Sequence, residues 1–115
     1  MQALEAQTEP GSICHRKIIT QLAYVYGNWA SFHAANAEKK KFYEDCCLEW
    51  IDCCFKNGVT KRPHLYNYMG DIMCDRENFE KALIAYTQAI TLKPKDYWAY
   101  RGVANVYFIQ DAKLC

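Results

Sequence analysis

The sequence predicts an all-α protein built from antiparallel helical hairpins. Three observations favour this fold class. Apolar side chains recur at the spacing of a helix face over most of the chain. Glycine, asparagine and proline stand between the apolar segments, where helices would end. In the segment 63–94, small and aromatic residues stand at offsets that let two helices approach closely.

The segment 63–94 predicts two packed helices. Gly70 has no side chain, so a second helix can approach its backbone closely. Ala82 and Ala89 allow the same close approach from the second helix. Tyr86 stands between these alanines, and we expect its ring to fill the remaining space.

Local signals mark the ends of the second helix. Asn78 is its expected N-cap, and we expect Phe79 to point inward. Pro94 cannot continue a helix, because it lacks an N–H group and its ring clashes with the preceding turn. The turn between the two helices is therefore expected just before Asn78.

This segment resembles the tetratricopeptide repeat (TPR), whose pattern is W-x2-L-G-x2-Y, then A-x3-F, then P, over about 34 residues. The resemblance implies one clear repeat at 63–96 and an all-α fold of hairpins stacked as a short right-handed solenoid. It also implies a non-catalytic protein-interaction role without a cofactor. The residues that carry it are Tyr66, Met69, Gly70, Met73, Ala82, Tyr86, Ala89 and Pro94.

A partial repeat is expected from residue 97, about 34 residues after the start of the clear one. Asp96 is its expected N-cap. The segment 97–115 holds only the first helix of such a repeat. It either caps the stack or leaves an apolar face open for self-association or for another protein. Its residues Tyr100, Val103, Ala104 and Tyr107 correspond to Tyr66, Met69, Gly70 and Met73.

Two further helices are expected upstream, at 13–35 and 37–57, with a stop at Asn57 and Gly58. Two interpretations of the hairpin 13–58 stay open, a degenerate repeat and an unrelated capping hairpin. With residues 1–12 as a disordered arm, we expect one TPR-like domain over 13–115. The apolar positions are Ile18, Ile19, Leu22, Val25, Tyr26, Trp29 and Phe32, then Phe42, Tyr43, Cys46, Cys47, Trp50, Cys53 and Cys54.

Composition excludes several classes of protein. Hydrophobic residues make up 51% of the 115, which is enough to build a core. A net charge of +1 gives no electrostatic case for nucleic acid. No apolar stretch is long enough for a membrane span, and the first residues lack the features of a secretory signal. We therefore expect a cytoplasmic protein, with a nuclear location left open.

The seven cysteines indicate a reducing compartment, because their number is odd and no export signal precedes them. Two adjacent pairs occur in the second helix, without the C-x2-C spacing of zinc ligands. We interpret them as small buried hydrophobes, and we expect no metal site, no cofactor and no catalytic residue. Cys74 and Cys115 would be candidates for reactive thiols only if exposed.

The resemblance implies a concave groove lined by the first helix of each hairpin. A mixture of polar, charged and aromatic side chains there suits an extended or helical peptide of a partner protein. Trp98 is the leading candidate, because tryptophan is favoured at binding hot spots. The groove residues are expected to be His64, Asn67, Asp71, Asp75, Trp98, Arg101, Asn105 and Phe108.

Three functions compete on these grounds. The first is a protein-interaction module or scaffold that holds a partner segment in the groove. The second is a structural or regulatory subunit of a larger assembly, docked through the open helix 97–115. The third is a co-chaperone that binds acidic chaperone tails, for which Arg101 and Asn105 have the required spacing but Asp71 would repel a carboxylate.

Overall fold

The computed structural model describes residues 13–114. In this range the chain forms helices and no strand, so the predicted all-α class is confirmed. The expected disordered arm, residues 1–12, lies outside the described residues. The five described helices are α1 (Ile13–Phe32), α2 (Ala37–Lys56), α3 (Pro63–Asp75), α4 (Phe79–Leu92) and α5 (Tyr97–Leu114).

The helices belong to two compact units, one ending at Thr60 and the other beginning at Lys61. In the first unit α1 packs against α2, and in the second α3, α4 and α5 pack against one another. The expected domain limits, 13–58, 63–96 and 97–115 within one domain, stay predictions. None of the helices described is long and apolar enough to cross a bilayer.

Side-chain caps fix the helix starts. The Asn36 side chain accepts a hydrogen bond from the Lys39 backbone N–H at 3.1 Å. The Asn78 side chain accepts one from the Lys81 N–H at 3.4 Å, which confirms Asn78 as the N-cap of α4. Helix α3 begins at Pro63, where a missing N–H costs nothing because the first helical N–H groups have no partner in the helix.

Small side chains form the contact between α1 and α2. Ala23, Cys47 and Cys54 are fully buried. The Cys47 thiol donates to the Ala23 carbonyl at 3.3 Å, which requires the two helix backbones to lie close together. Burial raises the pKa of Cys47 to about 12. Cys47 and Cys54 therefore act as small buried hydrophobes, as the sequence predicts.

Several larger apolar side chains of α1 lie at its surface, although Ile19 is buried. Phe32 is 83% exposed, and Ile18, Val25 and Trp29 are also exposed. The helical spacing of apolar residues could not show which face of α1 is buried, because α1 carries apolar residues on both faces. The buried face is the one whose small residues permit close packing. Helix α1 also ends at Phe32 and not at residue 35 as expected.

In the second unit the core is built around Tyr86 of α4. Its ring is buried together with Ala82, Ala89, Ala99 and Val106. Gly70 of α3 lies on it so closely that an added Cβ would be 2.6 Å from Cε1. The predicted contact between Gly70 and Tyr86 is confirmed.

Gly102 of α5 lies against the same ring. A Cβ at this position would come within 2.8 Å of the Tyr86 hydroxyl oxygen and nearer still to the ring carbons. Ala104, which the repeat register equates with Gly70, is exposed. The Tyr86 ring therefore contacts two glycines that belong to different helices.

Asp96 begins α5 and ties it to α3. Its Oδ1 accepts hydrogen bonds from the backbone N–H groups of Trp98 at 3.1 Å and Ala99 at 3.4 Å, which confirms it as an N-cap. Its Oδ2 accepts from the Asn67 side-chain amide at 2.7 Å. Both residues of this pair are buried.

Candidate functional site

The Asp71 carboxylate joins all three helices of the second unit. Asp71 lies on α3, and its Oδ1 accepts a hydrogen bond from the Tyr86 hydroxyl of α4. Its Oδ2 accepts one from the Trp98 indole N–H of α5, at 3.0 Å. The carboxylate therefore holds a tryptophan ring in a fixed place on the surface.

Burial dominates the electrostatics of this carboxylate. Desolvation raises the pKa of Asp71 above its ordinary value, against the opposing effect of the hydrogen bonds from Tyr86 and Trp98. The charge of Asp75 raises it further, and the charge of Arg101 lowers it. Burial, together with the nearby Asp71 charge, also raises the pKa of Tyr86, so its hydroxyl remains a donor.

Trp98 is half-buried between aromatic side chains. Its ring centroid lies 5.2 Å from that of Tyr68, with the rings nearly perpendicular at 81°. The His64 ring lies 5.8 Å away on a tilted plane. The indole is thus fixed by one hydrogen bond and two rings, and part of it still faces solvent.

The remaining predicted residues of α5 extend this surface along the helix. Arg101 is exposed, and its guanidinium carbon lies 5.9 Å from the centroid of the Tyr97 ring. The Asn105 side-chain amide lies 3.9 Å from the Cys74 sulfur of α3. Phe108 is 72% exposed.

We call these exposed and half-buried residues of α3 and α5 the α3–α5 surface. It places a cation, an amide and aromatic rings side by side. It has no side chain in common with the buried core around Tyr86. Its members are His64, Asp75, Trp98, Arg101, Asn105 and Phe108, each of them predicted from sequence.

Two predicted groove residues do not lie open to solvent. Asn67 is fully buried and donates to Asp96, so the expectation that it lines the groove is corrected. Its Oδ1 finds no hydrogen-bond partner among the described residues. Asp71 is partly buried and uses both oxygens within the fold. Cys74 is buried too, which excludes it as an exposed thiol, and Cys115 lies outside the described residues.

Sequence reasoning missed two aromatic contributors. Tyr68 supports the Trp98 ring, and Tyr97 supports the Arg101 guanidinium. Neither stands at a position that the repeat pattern specifies. Tyr68 directly follows Asn67 on α3, and Tyr97 directly precedes Trp98 on α5. An aromatic residue next to a predicted groove residue is the sequence signal that could have identified both.

Residues 70–111 match a family model described as TPR repeat. The TPR resemblance is confirmed. The matched TPR segment runs from the middle of α3 through α4 into α5, and so contains the Tyr86 core. Neither the curated proteins nor the solved structures give a match to the chain.

The TPR match carries a general functional statement. TPR repeats generally mediate protein–protein interaction, and the family is typically non-catalytic. Within the described residues, no group of three or more His, Cys, Asp or Glu side chains could hold a metal ion.

Proposed function

We propose that this chain is a non-catalytic protein-interaction module whose α3–α5 surface binds a segment of a partner protein. The observation that carries the proposal is the fixed position of Trp98. Its indole is held by Asp71 before any partner arrives, so little side-chain freedom is lost on binding. A preorganised, partly exposed tryptophan is the type of residue that dominates binding energy at interfaces.

The surrounding side chains indicate what the partner segment contains. Trp98 and Phe108 offer apolar ring surface to an aliphatic or aromatic side chain. Arg101 offers a planar cation to a carboxylate or to a backbone carbonyl. We expect the bound segment to carry an apolar residue close to an acidic one.

Chaperone-tail recognition is less well supported. Arg101 and Asn105 are exposed on α5, as that function requires. However, a clamp for two carboxylates needs a second binding pair on α3, where the corresponding positions hold the buried Asn67 and Asp71, whose oxygens accept hydrogen bonds within the fold.

Selection from a random peptide library on the immobilised chain tests whether the α3–α5 surface binds a partner segment. Selected peptides should combine apolar and acidic residues. Their affinity should fall about tenfold or more in Trp98→Ala and Arg101→Ala, since hot-spot truncation costs about 2 kcal/mol or more. Phe108→Ala serves as a further variant that leaves the Asp71 hydrogen bonds intact.

Gln88→Ala is the matched control, because Gln88 is exposed on α4 and away from the α3–α5 surface. Peptides selected on the wild-type chain should bind this variant unchanged. Equal binding to the wild-type, Arg101→Ala and Phe108→Ala proteins would rule the surface out as the binding site.

A second candidate function is docking through α5 as a piece of a larger assembly. A different face of this helix favours it, because Tyr100 and Tyr107 are 51% and 54% exposed. Apolar surface of this kind on one helix face marks interaction sites when it is contiguous. Light scattering across a range of concentrations should show self-association if copies of the chain cover this face. A monomer at every concentration would exclude self-association through this face.

A further inference from the structure

Helix α1 carries an apolar stripe on the side that faces away from α2. Its members recur at steps of seven, four and three residues, so they share one face of the helix. The buried residues Ile19, Ala23 and Ala30 occupy the other side, which packs on α2. We call the exposed stripe the α1 outer face, and its members, between 40% and 83% exposed, are Ile18, Val25, Trp29 and Phe32.

The α1 outer face is free of charge along its whole length. No Asp, Glu, Lys or Arg occurs from Ile18 to Phe32, and the polar neighbours Gln21 and Asn28 are neutral. The half-buried Leu22 continues the apolar surface. At 1.5 Å per residue this uncharged stretch is about 20 Å long. The solvent side of a helix ordinarily carries charged residues, so this face indicates contact with something other than water.

Basic residues stand at both ends of the α1 outer face. Arg16 and Lys17 precede it, and both are exposed. The Lys17 side chain lines a groove together with Ile18. Beyond the turn, the run 39–41 places three lysines at the start of α2. Because no acidic residue occurs within 13–37, both ends of the face are positively charged.

The exposed acidic residues of the first unit lie on the far side of α2. The side of α2 that packs on α1 holds the buried Glu44, Cys47, Ile51 and Cys54. The exposed acids recur at steps of seven, four and three residues and occupy a different face of α2. They are Glu38, Asp45, Glu49 and Asp52. The first unit therefore separates its charges, with the exposed carboxylates turned away from the α1 outer face.

We propose that the first unit binds an anionic lipid bilayer peripherally, through the α1 outer face. Trp29 and Phe32 enter the boundary between headgroups and acyl chains, where aromatic rings are favoured. Lys17 and the lysines at 39–41 attract the acidic headgroups at the two ends of the contact. This contact belongs to the first unit and is independent of the functions proposed for the second.

A second copy of this chain fits the α1 outer face less well. In a parallel pair, Lys17 of one copy would lie near Lys17 of the other. In an antiparallel pair, Lys17 would approach the lysine run 39–41. Both arrangements bring like charges together, since the exposed carboxylates lie on the far side of α2. A bilayer with acidic lipids gives both basic ends a counter-charge.

Sedimentation with lipid vesicles tests this contact. The full chain should sediment with phosphatidylcholine vesicles that contain about one-third phosphatidylserine, and much less with phosphatidylcholine alone. Phe32→Ser should weaken binding to the mixed vesicles about tenfold or more, because burial of an aromatic ring contributes at least that factor. Lys17→Glu should weaken it about tenfold, because an attracted charge becomes a repelled one.

Two substitutions in the second unit are matched controls. Ile84→Ser removes an exposed apolar side chain from α4, as Ile18→Ser does from α1. Lys81→Glu reverses the charge of an exposed lysine of α4, as Lys17→Glu does on α1. Neither control should change vesicle binding, whereas Ile18→Ser should weaken it several-fold. Circular dichroism confirms that each variant is folded.

Tryptophan fluorescence shows whether the α1 outer face enters the bilayer. Mixed vesicles with bromine atoms on the acyl chains quench a tryptophan that reaches those chains. Trp29→Phe should remove most of the quenching seen with the wild-type chain. Trp50→Phe, at a half-buried position of α2, should keep it.

Several outcomes would overturn the bilayer contact. The first is no sedimentation with the mixed vesicles, and the second is binding that Phe32→Ser and Ile84→Ser weaken alike. Equal binding to vesicles with and without phosphatidylserine would remove the role of the basic ends and overturn the anionic bilayer as the partner. A dimer in lipid-free solution that Phe32→Ser dissociates would assign the face to a second copy instead.

Discussion

Gly102 of α5 packs against the ring of Tyr86, which a second glycine, Gly70 of α3, also contacts. An added Cβ at either position would lie closer than 3.0 Å to ring atoms. The ring has little room to move away, because it is buried and its hydroxyl donates a hydrogen bond to Asp71.

Gly102→Ala should therefore lower the free energy of unfolding. Overpacking of this kind costs about 1–3 kcal/mol, and the better helix propensity of alanine returns about 1 kcal/mol of it. We expect a net loss of up to about 2 kcal/mol by urea denaturation, the difference between those two terms. In a helix without the clash, the same substitution would be stabilising.

Tyr86→Leu supplies the control for that substitution. In the Tyr86→Leu background the ring is gone, so Gly102→Ala should cost less than it does in the wild-type chain. Strictly additive losses in the double variant would show that the ring is not what opposes a side chain at Gly102.

Asp71→Asn should change how stability depends on pH. Because the folded-state pKa of Asp71 is raised above 3.8, the folded chain binds a proton more tightly than the unfolded chain does. The Asp71 contribution to the free energy of unfolding therefore increases as pH falls from the raised pKa towards 3.8. The wild-type chain should gain stability relative to Asp71→Asn over that window.

Urea titrations of both proteins between neutral pH and about pH 4 measure this difference. Asp71→Asn should also be less stable than the wild-type chain at neutral pH, by about 1–3 kcal/mol. Asparagine has only one oxygen, so either the Tyr86 hydroxyl or the Trp98 indole N–H loses its acceptor. A difference between the two proteins that shrinks towards acid pH would mean that the hydrogen bonds outweigh burial.

Asp96→Ala should be more damaging than the loss of another N-cap. It removes the cap of α5 and leaves the buried Asn67 amide without its acceptor. We expect a loss of about 2–4 kcal/mol, the sum of a cap and an unsatisfied buried group. Asn78→Ala removes only the exposed cap of α4 and should cost about 1 kcal/mol. Thermal unfolding of the two variants measures both losses of stability. Equal losses would mean that the hydrogen bond from Asn67 to Asp96 contributes nothing.

The first unit offers a test of which α1 residues are buried. Phe32→Ser should change the free energy of unfolding by less than about 0.5 kcal/mol, because the ring is exposed. Ile51→Ala, on the buried face of α2, should cost about 2–5 kcal/mol. A large loss for Phe32→Ser in urea denaturation would mean that this ring is covered in solution.

Much of the second unit could be predicted from sequence because its signals are short-range. The cap at Asn78, the proline at Pro94 and the small residues around Tyr86 each act within one hairpin. Gly102 could not be found in this way. The repeat register equated Ala104 with Gly70, but the contact between Tyr86 and Gly102 depends on how the next helix crosses α4, which spacing does not encode.

The sequence could also predict most residues of the α3–α5 surface. Their offsets from the repeat pattern assign Trp98, Arg101 and Phe108 to the exposed side, and the structure has Arg101 and Phe108 exposed and Trp98 half-buried. Asn67 has the same type of offset and is buried, because Asp96 folds over it as a hydrogen-bond acceptor. An offset gives the direction of a side chain from its own helix, and it does not show what the next segment places on top.

The triple attachment of Asp71 also bears on the way the second unit comes apart. Detaching α5 would break the bond from Trp98 and leave a partly buried carboxylate short of a donor, while also uncovering Tyr86. Local opening of α5 therefore costs more than the fraying of a terminal helix without such a bond. Backbone amides in the middle of α5 should exchange with deuterium more slowly than in a variant without the bond, such as Trp98→Phe.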